Sequence, residues 1–166
     1  MILRPFIASE DADIVKDWIT DPRTHQMWCA GRMEYPLTGG SLVSFLDELA
    51  DRSGDKAFAA TVDDGKTVGF FVFSLNPETN EVLLKFIVVD PHQRGKGTAQ
   101  EMLRLAVRYS FENANADAVH LNVFSANLRA RRCYEKAGFT VRNITPGAFS
   151  YEDESWDRVN MIIRKE

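Results

Sequence analysis

The spacing of apolar residues changes along this chain, and the changes divide it into elements. Ile2 to Phe6 is a short apolar run that predicts a strand. Ser9 to Asp13 then supplies cap and first-turn acids for a helix carrying Ile14, Val15, Trp18 and Ile19, and Asp21-Pro22 ends it. From Arg23 to Gly40, His25, Met27, Trp28, Tyr35, Pro36 and Leu37 follow no clear period, which predicts an irregular segment. Ser41 is the expected cap of a second helix with Leu42, Phe45, Leu46 and Leu49 on one face.

The centre reads as β. Ala57–Val62 and Val68–Leu75 flank Asp63-Asp64-Gly65-Lys66, whose Asp-Gly pair is a hairpin signal. A second turn, Asn76–Asn80, leads into Glu81–Val89, giving a three-strand antiparallel meander. Ala99 to about Glu112 returns to helical spacing through Met102, Leu103, Ala106, Val107 and Phe111. Ala118–Phe124 is a strand, Leu128–Ala137 a helix, and Gly138 its stop. Phe139–Arg142 and Val159–Ile163 predict a closing strand pair across an acidic loop, Tyr151–Asp157. With no repeat, low-complexity tract or linker, residues 1–166 read as one α+β domain around a mixed sheet.

The junction between the third central strand and the helix after it carries the first chemistry. Arg94-Gly95-Lys96-Gly97-Thr98-Ala99 is a basic, glycine-rich bend between them. The first amides of a helix lack intrahelical partners and sit at the positive end of its dipole, so such a junction can hold an anion. Gly95 and Gly97 let a phosphate approach the main chain, while Arg94 and Lys96 add charge. The spacing matches neither a P-loop nor a G-x-G-x-x-G dinucleotide fingerprint. A diphosphate-bearing ligand is the inference, with a plain helix-capping turn as the alternative.

Further along, Leu121–Asn127, Ala130 and Tyr134-Glu135-Lys136-Ala137-Gly138-Phe139 follow in order. The R-x-x-G-x-A loop together with N-x-x-A-x-x-x-Y-E-K-x-G-F resembles the GNAT superfamily of N-acetyltransferases. Ile2-Leu3-Arg4-Pro5, Glu10-Asp11 and Trp18 are similar to its subgroup of ribosomal-protein N-terminal acetyltransferases. The resemblance implies a central, mostly antiparallel mixed sheet of six to seven strands with helices on both faces. It also implies a V-shaped splay between two parallel central strands, with a β-bulge before the loop. It implies acetyl-CoA as cosubstrate, no metal, and direct acetyl transfer to an amine in a ternary complex. The pantetheine arm would lie along Ile87, Val88 and Val89, the diphosphate on Arg94 to Ala99, and Asn127 would bond the arm near its amide end.

The same resemblance puts Tyr134 in the role of general acid. A phenol's ordinary pKa of about 10 lies above that of a thiol, so at neutral pH it can protonate a departing sulfur. Glu81, at the start of the bulged strand, is placed like the base glutamate of histone-type members. His120, Glu34, His25 and ordered water are the alternatives. Another subtype carries a glutamate where this chain has Asn122. Trp28, Tyr35, Phe149, Tyr151 and Trp156, with Glu152, Asp153, Glu154 and Asp157, mark where the acceptor end of the slot is expected, although singly each reads as core or solvated loop.

Composition narrows the partners. A net charge of −4 does not favour nucleic acid or an anionic membrane and mildly favours a cationic substrate at long range. Cys29 and Cys133 are too few and too far apart for a disulfide framework, and Cys133 sits on an apolar helix face as a buried thiol would. No apolar run reaches membrane-spanning length, so a soluble cytoplasmic protein is expected. The acceptor is either a small amine or a peptide N-terminus. Dimers are common in the resembled superfamily, so a homodimer is allowed, though no stretch marks an interface. Two rival readings are a non-catalytic acyl-CoA-binding module and a phosphate-binding protein unrelated to CoA.

Overall fold

The computed structural model describes residues 1–166. One seven-stranded sheet runs through it in the order β1 (Ile2–Pro5), β2 (Lys56–Thr61), β3 (Thr67–Asn76), β4 (Glu81–Val89), β5 (Ala118–Phe124), β7 (Glu154–Arg164) and β6 (Thr140–Tyr151). Every neighbouring pair is antiparallel except β4 and β5, which run parallel at the centre. Five helices cover the sheet: α1 (Ala8–Lys16), α2 (Pro22–Cys29), α3 (Gly39–Ser53), α4 (Thr98–Glu112) and α5 (Leu128–Lys136).

Because strand residues alternate faces, the sheet builds two cores. On one face Phe71, Phe73, Val82, Leu84, Val119 and Leu121 meet Met102, Leu103 and Ala106 of α4 and Tyr134 of α5. On the other, Phe70, Val72 and Phe86 meet Val15 of α1, Cys29 of α2, and Leu42, Leu46 and Leu49 of α3. A buried ion pair ties the edge to the second layer. Arg4 of β1 donates twice to Asp11 of α1, at 2.7 and 2.9 Å, and the Thr67 hydroxyl adds a third bond at 2.7 Å. Burial opposes the charge on Asp11, yet the bonds from Arg4, the Ile7 amide and Thr67 hold its carboxyl below the usual range.

The stretch expected to be irregular contains α2. Asp21 caps it by accepting from the Thr24 amide at 2.9 Å, and Pro22 occupies its first turn. The same Asp-Pro pair that ends the first helical pattern therefore starts the next helix. Thr38, not Ser41, caps α3, while the Ser41 hydroxyl accepts from the Thr38 amide in a reciprocal box. The acidic loop expected at Tyr151–Asp157 is the end of a long hairpin. Only Glu152 and Asp153 form its tip, and Glu154 to Asp157 already belong to β7.

The centre of the sheet is interrupted. β4 pairs with β5 only from Glu81 and Ala118 to Leu84 and Leu121. Against β3 the register then slips. Phe70 faces Val88 but Val72 faces Lys85, so β4 carries one extra residue opposite Phe71. The extra residue shows in Phe86, whose φ of 52° lies in the left-handed region. That conformation costs a non-glycine residue about 1–2 kcal/mol, and here it is held by edge contacts of the Phe86 ring with Trp28 and Phe45, at 5.7 and 5.4 Å between centroids.

Candidate active site

The split seam opens into a cleft of about 1190 Å³, larger than the roughly 300–1,000 Å³ that holds one small ligand. At one end lies the loop into α4. The Asp90 carboxylate accepts from the His92 amide at 2.9 Å and fixes the turn Pro91–Gln93. Gly95 and Gly97 then take φ of 75° and 78°. A Cβ at either would meet no atom within 4 Å, so the backbone conformation rather than crowding calls for glycine. Gly97 is also the cap of α4 and offers it no side-chain bond. The first-turn amides of α4 therefore remain available to a ligand.

Arg94, Gly95, Gly97, Thr98 and Ala99 line the cleft, whereas Lys96 is exposed and stands off its wall. Burial, and then the neighbouring Arg129, pull the Arg94 guanidinium below its usual range. Arg129, Arg132 and Lys136 of α5 line the cleft as well, three cations to which the motif gives no role. Their spacing of three and four residues puts them on one helix face, a signal available in the sequence once Asn127 is taken as the start of α5.

Ile87, Val88 and Val89 line the cleft on one side of the seam, and Asn122, Val123 and Phe124 on the other. The Trp28 indole N–H donates to the Phe86 carbonyl at 2.9 Å, tying α2 to the bulge. Tyr134 reaches the cleft from α5 while its ring packs in the core, 7% exposed. Burial pushes its phenol well above the ordinary value, and no hydrogen bond contributes to that shift. A protonated hydroxyl facing the seam is thus free to donate. Asn127 caps α5 through Oδ1, which accepts from the Ala130 amide at 3.3 Å, so only its side-chain N–H₂ is left for a ligand.

Glu81 is not brought to this cleft. It begins β4, at the paired end of the seam, and both its oxygens accept from Arg142, at 3.0 and 2.9 Å. Arg142 also donates to Asn160 at 2.7 Å, and the Asn160 amide reaches His120 Nδ1 at 3.0 Å and Asn122 Oδ1 at 2.9 Å. His120 is drawn below its ordinary pKa by burial and then by Arg142, with Glu81 opposing. The group is a connected polar network across four strands, and Asn122 alone of its members lines the cleft. His25 is buried against Cys29 and Tyr35, and Glu34 is exposed; neither lines the cleft.

At the other end of the cleft stand Met27, Trp28, Phe149 and Arg158. Phe149 stacks on Trp156, 5.7 Å between centroids, and both pack on Phe124. The acids expected here are otherwise engaged: Glu154 is paired with Arg23 at 2.9 Å and Asp157 accepts from the Gly147 amide at 3.0 Å. Glu152 and Asp153 are exposed on the hairpin tip, away from the cleft.

A central parallel pair that comes apart beside a helix start with no side-chain cap and flanking cations defines an α+β domain with a long cleft opened through its sheet. The particular family follows from comparison. Residues 13–139 match the Acetyltransferase (GNAT) family, and the chain belongs to it. A probable spermine N(1)-acetyltransferase of Bacillus subtilis subsp. natto is 32% identical over 82 residues, 46% of this chain and 54% of that protein. An L-amino acid N-acetyltransferase of Escherichia coli is 30% identical over 97 residues, 57% of this chain and 59% of that protein. The chain thus spans little more than half the length of these curated relatives. The solved structure of spermidine N-acetyltransferase from Vibrio cholerae, in complex with CoA and spermine, superposes with a TM-score of 0.81 at 20% identity, covering 98% of this chain and 94% of that one. These relatives handle polyamines and amino acids, and none is a ribosomal-protein N-terminal acetyltransferase.

Proposed function

We propose that the protein is an acetyl-CoA-dependent N-acetyltransferase acting on a primary amine. The observation that carries the reading is the continuity of one cleft from the uncapped start of α4, along the unpaired end of β4, to the free hydroxyl of Tyr134. The α4 amides with Arg94 hold a diphosphate, and Arg129, Arg132 and Lys136 suit the remaining phosphate. Ile87 to Val89 lend main-chain groups to the pantetheine amides and to the thioester oxygen, where a well-aimed donor contributes about 3–4 kcal/mol.

When bound, acetyl-CoA supplies the acyl carbon, to which the acceptor nitrogen forms a C–N bond as the C–S bond breaks. Tyr134 gives its proton to the departing sulfur and regains one from the nitrogen by way of water. No histidine and no free carboxylate line the cleft, so water is also the route by which the acceptor loses its proton. Phe124 and Phe149 exclude bulk solvent at the acceptor end.

The relatives support a small-molecule amine, polyamine or amino acid, and a peptide N-terminus is the alternative acceptor. The test is thiol release from acetyl-CoA across amino acids, polyamines, aminoglycosides and short peptides, beside the melting temperature with acetyl-CoA and with ATP. Release with one acceptor class, and thermal protection by acetyl-CoA exceeding that by ATP, is expected. Protection without release from any acceptor would favour a binding module. No protection would remove the CoA reading.

A further inference from the structure

We infer that the acceptor amine carries a negatively charged group, of which a carboxylate is the simplest, and that Arg32 and Arg158 receive it. The inference rests on the transferase reading above. Although the whole chain is acidic, its cleft is not: eight Lys and Arg side chains line it against a single acid, Asp21. Asp21 is committed to α2, accepting from the Thr24 amide at 2.9 Å and the Thr24 hydroxyl at 2.7 Å. A polyamine would find no free carboxylate to answer its distal ammonium groups.

The cations sort by place and by partner. Arg94, just before α4, and Arg129, Arg132 and Lys136, along α5, are the cations assigned to the phosphates. At the acceptor end, Arg23 is neutralised by Glu154 and Lys85 by Asp55 at 2.9 Å. Arg32 and Arg158 remain. Arg32 lies over the rings of Phe45 and Phe86, at 5.4 and 5.5 Å, with no acidic partner. Stacking holds its guanidinium plane while leaving the N–H fork open, the arrangement suited to a carboxylate. Arg158 has only the Thr145 hydroxyl at 3.5 Å.

The two arginines are linked through one aromatic group. Beside Arg32, a Cβ at Gly31 would lie 4.0 Å from the Phe149 ring. Phe149 packs on Phe124 at 5.2 Å, and Phe124 is the direct cross-strand partner of Arg158. Both arginines line the same cleft, beside these aromatic rings. A cationic wall also eases loss of the acceptor's proton, since neighbouring like charge disfavours an ammonium.

The test pairs each acceptor with a twin that lacks only the carboxylate charge, rates being referred to the neutral-amine fraction: leucine with leucinamide, phenylalanine with phenylalaninamide, and aspartate and spermidine alongside. The amides also stand for a peptide N-terminus. The free acids are expected to exceed their amides by about tenfold or more in kcat/KM, the factor that one charge-assisted bond confers. Arg158→Gln and Arg32→Gln are expected to shrink that ratio, and Arg→Lys at either position to restore part of it. Spermidine or the amides turning over as well as the acids would overturn the inference, as would variants that leave the ratio unchanged. Where turnover is too slow to rank acceptors, the melting temperature of the CoA-saturated protein with N-acetylleucine against N-acetylspermidine decides, and failure of N-acetylleucine to stabilise selectively overturns it. Loss of thermal protection by acetyl-CoA itself would instead remove the transferase reading beneath it.

Discussion

Trp28 donates its indole N–H to the carbonyl of Phe86, and Phe86 is the residue whose left-handed backbone opens the sheet. A helix that sequence periodicity does not announce thus holds the strained corner of the cleft. Trp28→Phe keeps most of the ring packing and removes the bond, which is worth about 1 kcal/mol. The expected outcome is a loss of about fivefold in kcat/KM for acetyl-CoA with a small change in melting temperature. Steady-state kinetics and a thermal scan check it.

Tyr134→Phe removes the hydroxyl and little else. General acid catalysis of this kind contributes about 10²- to 10⁴-fold, so kcat should fall by that order while acetyl-CoA binding, read by calorimetry, stays within a factor of about three. Burial raises the phenol's pKa, which keeps it protonated as pH rises past the ordinary phenol value. The pH profile of the native protein should therefore show no loss of activity from this group up to about pH 10.

The loop into α4 separates backbone from side chain. Gly97→Ala forces a φ of 78° on a residue with a Cβ, at about 1–2 kcal/mol. Relaxation away from that φ would turn the free amides aside, and acetyl-CoA should bind about tenfold more weakly. Lys96→Ala, at a side chain that does not line the cleft, should change binding by less than about twofold. Titration of both variants with acetyl-CoA distinguishes the two roles.

Arg4 and Asp11 supply a test of stability. Arg4→Ala leaves a buried carboxylate without its partner and should cost about 3–5 kcal/mol. Asp11 has a lowered pKa in the fold, so the pair's contribution is complete above the unfolded value of about 4 and is lost as pH falls through the folded value beneath it. The gap in melting temperature between the two proteins should be full at pH 7 and close in acid. Thermal scans across that range measure it.

How far the sequence discloses this molecule depends on whether one face of an element is buried. The meander β2 to β4 and helix α4 carry clean periods because each sets an apolar face against a core, and the glycines at 95 and 97 name their own turn. α2 buries His25 and Cys29, too polar and too few to make a stripe, so it reads as loop although Asp21, Pro22 and Thr24 spell its start. β6 is an edge strand exposed along most of its length and shows no alternation. Ile87 to Val89 and Tyr134, which motif order picks out, line the cleft. Glu81 does not reach the cleft because strand position says nothing about a partner sixty-one residues away, and Arg142 holds it. Glu81→Gln should accordingly lower the melting temperature while leaving the pH dependence of kcat unaltered.

The pairing of β4 with β5 stops after Leu84 and Leu121, and the amides beyond that point have no neighbouring strand on the cleft side. An arm carrying two amide groups of its own, laid in that gap, would finish the ladder that the chain leaves incomplete. Binding and folding then draw on the same bonds, so the cosubstrate would slow hydrogen exchange first at Ile87 to Val89, and only afterwards would the acceptor meet a closed floor. On the proposed reading, a sheet with a missing rung would take the cosubstrate before the amine.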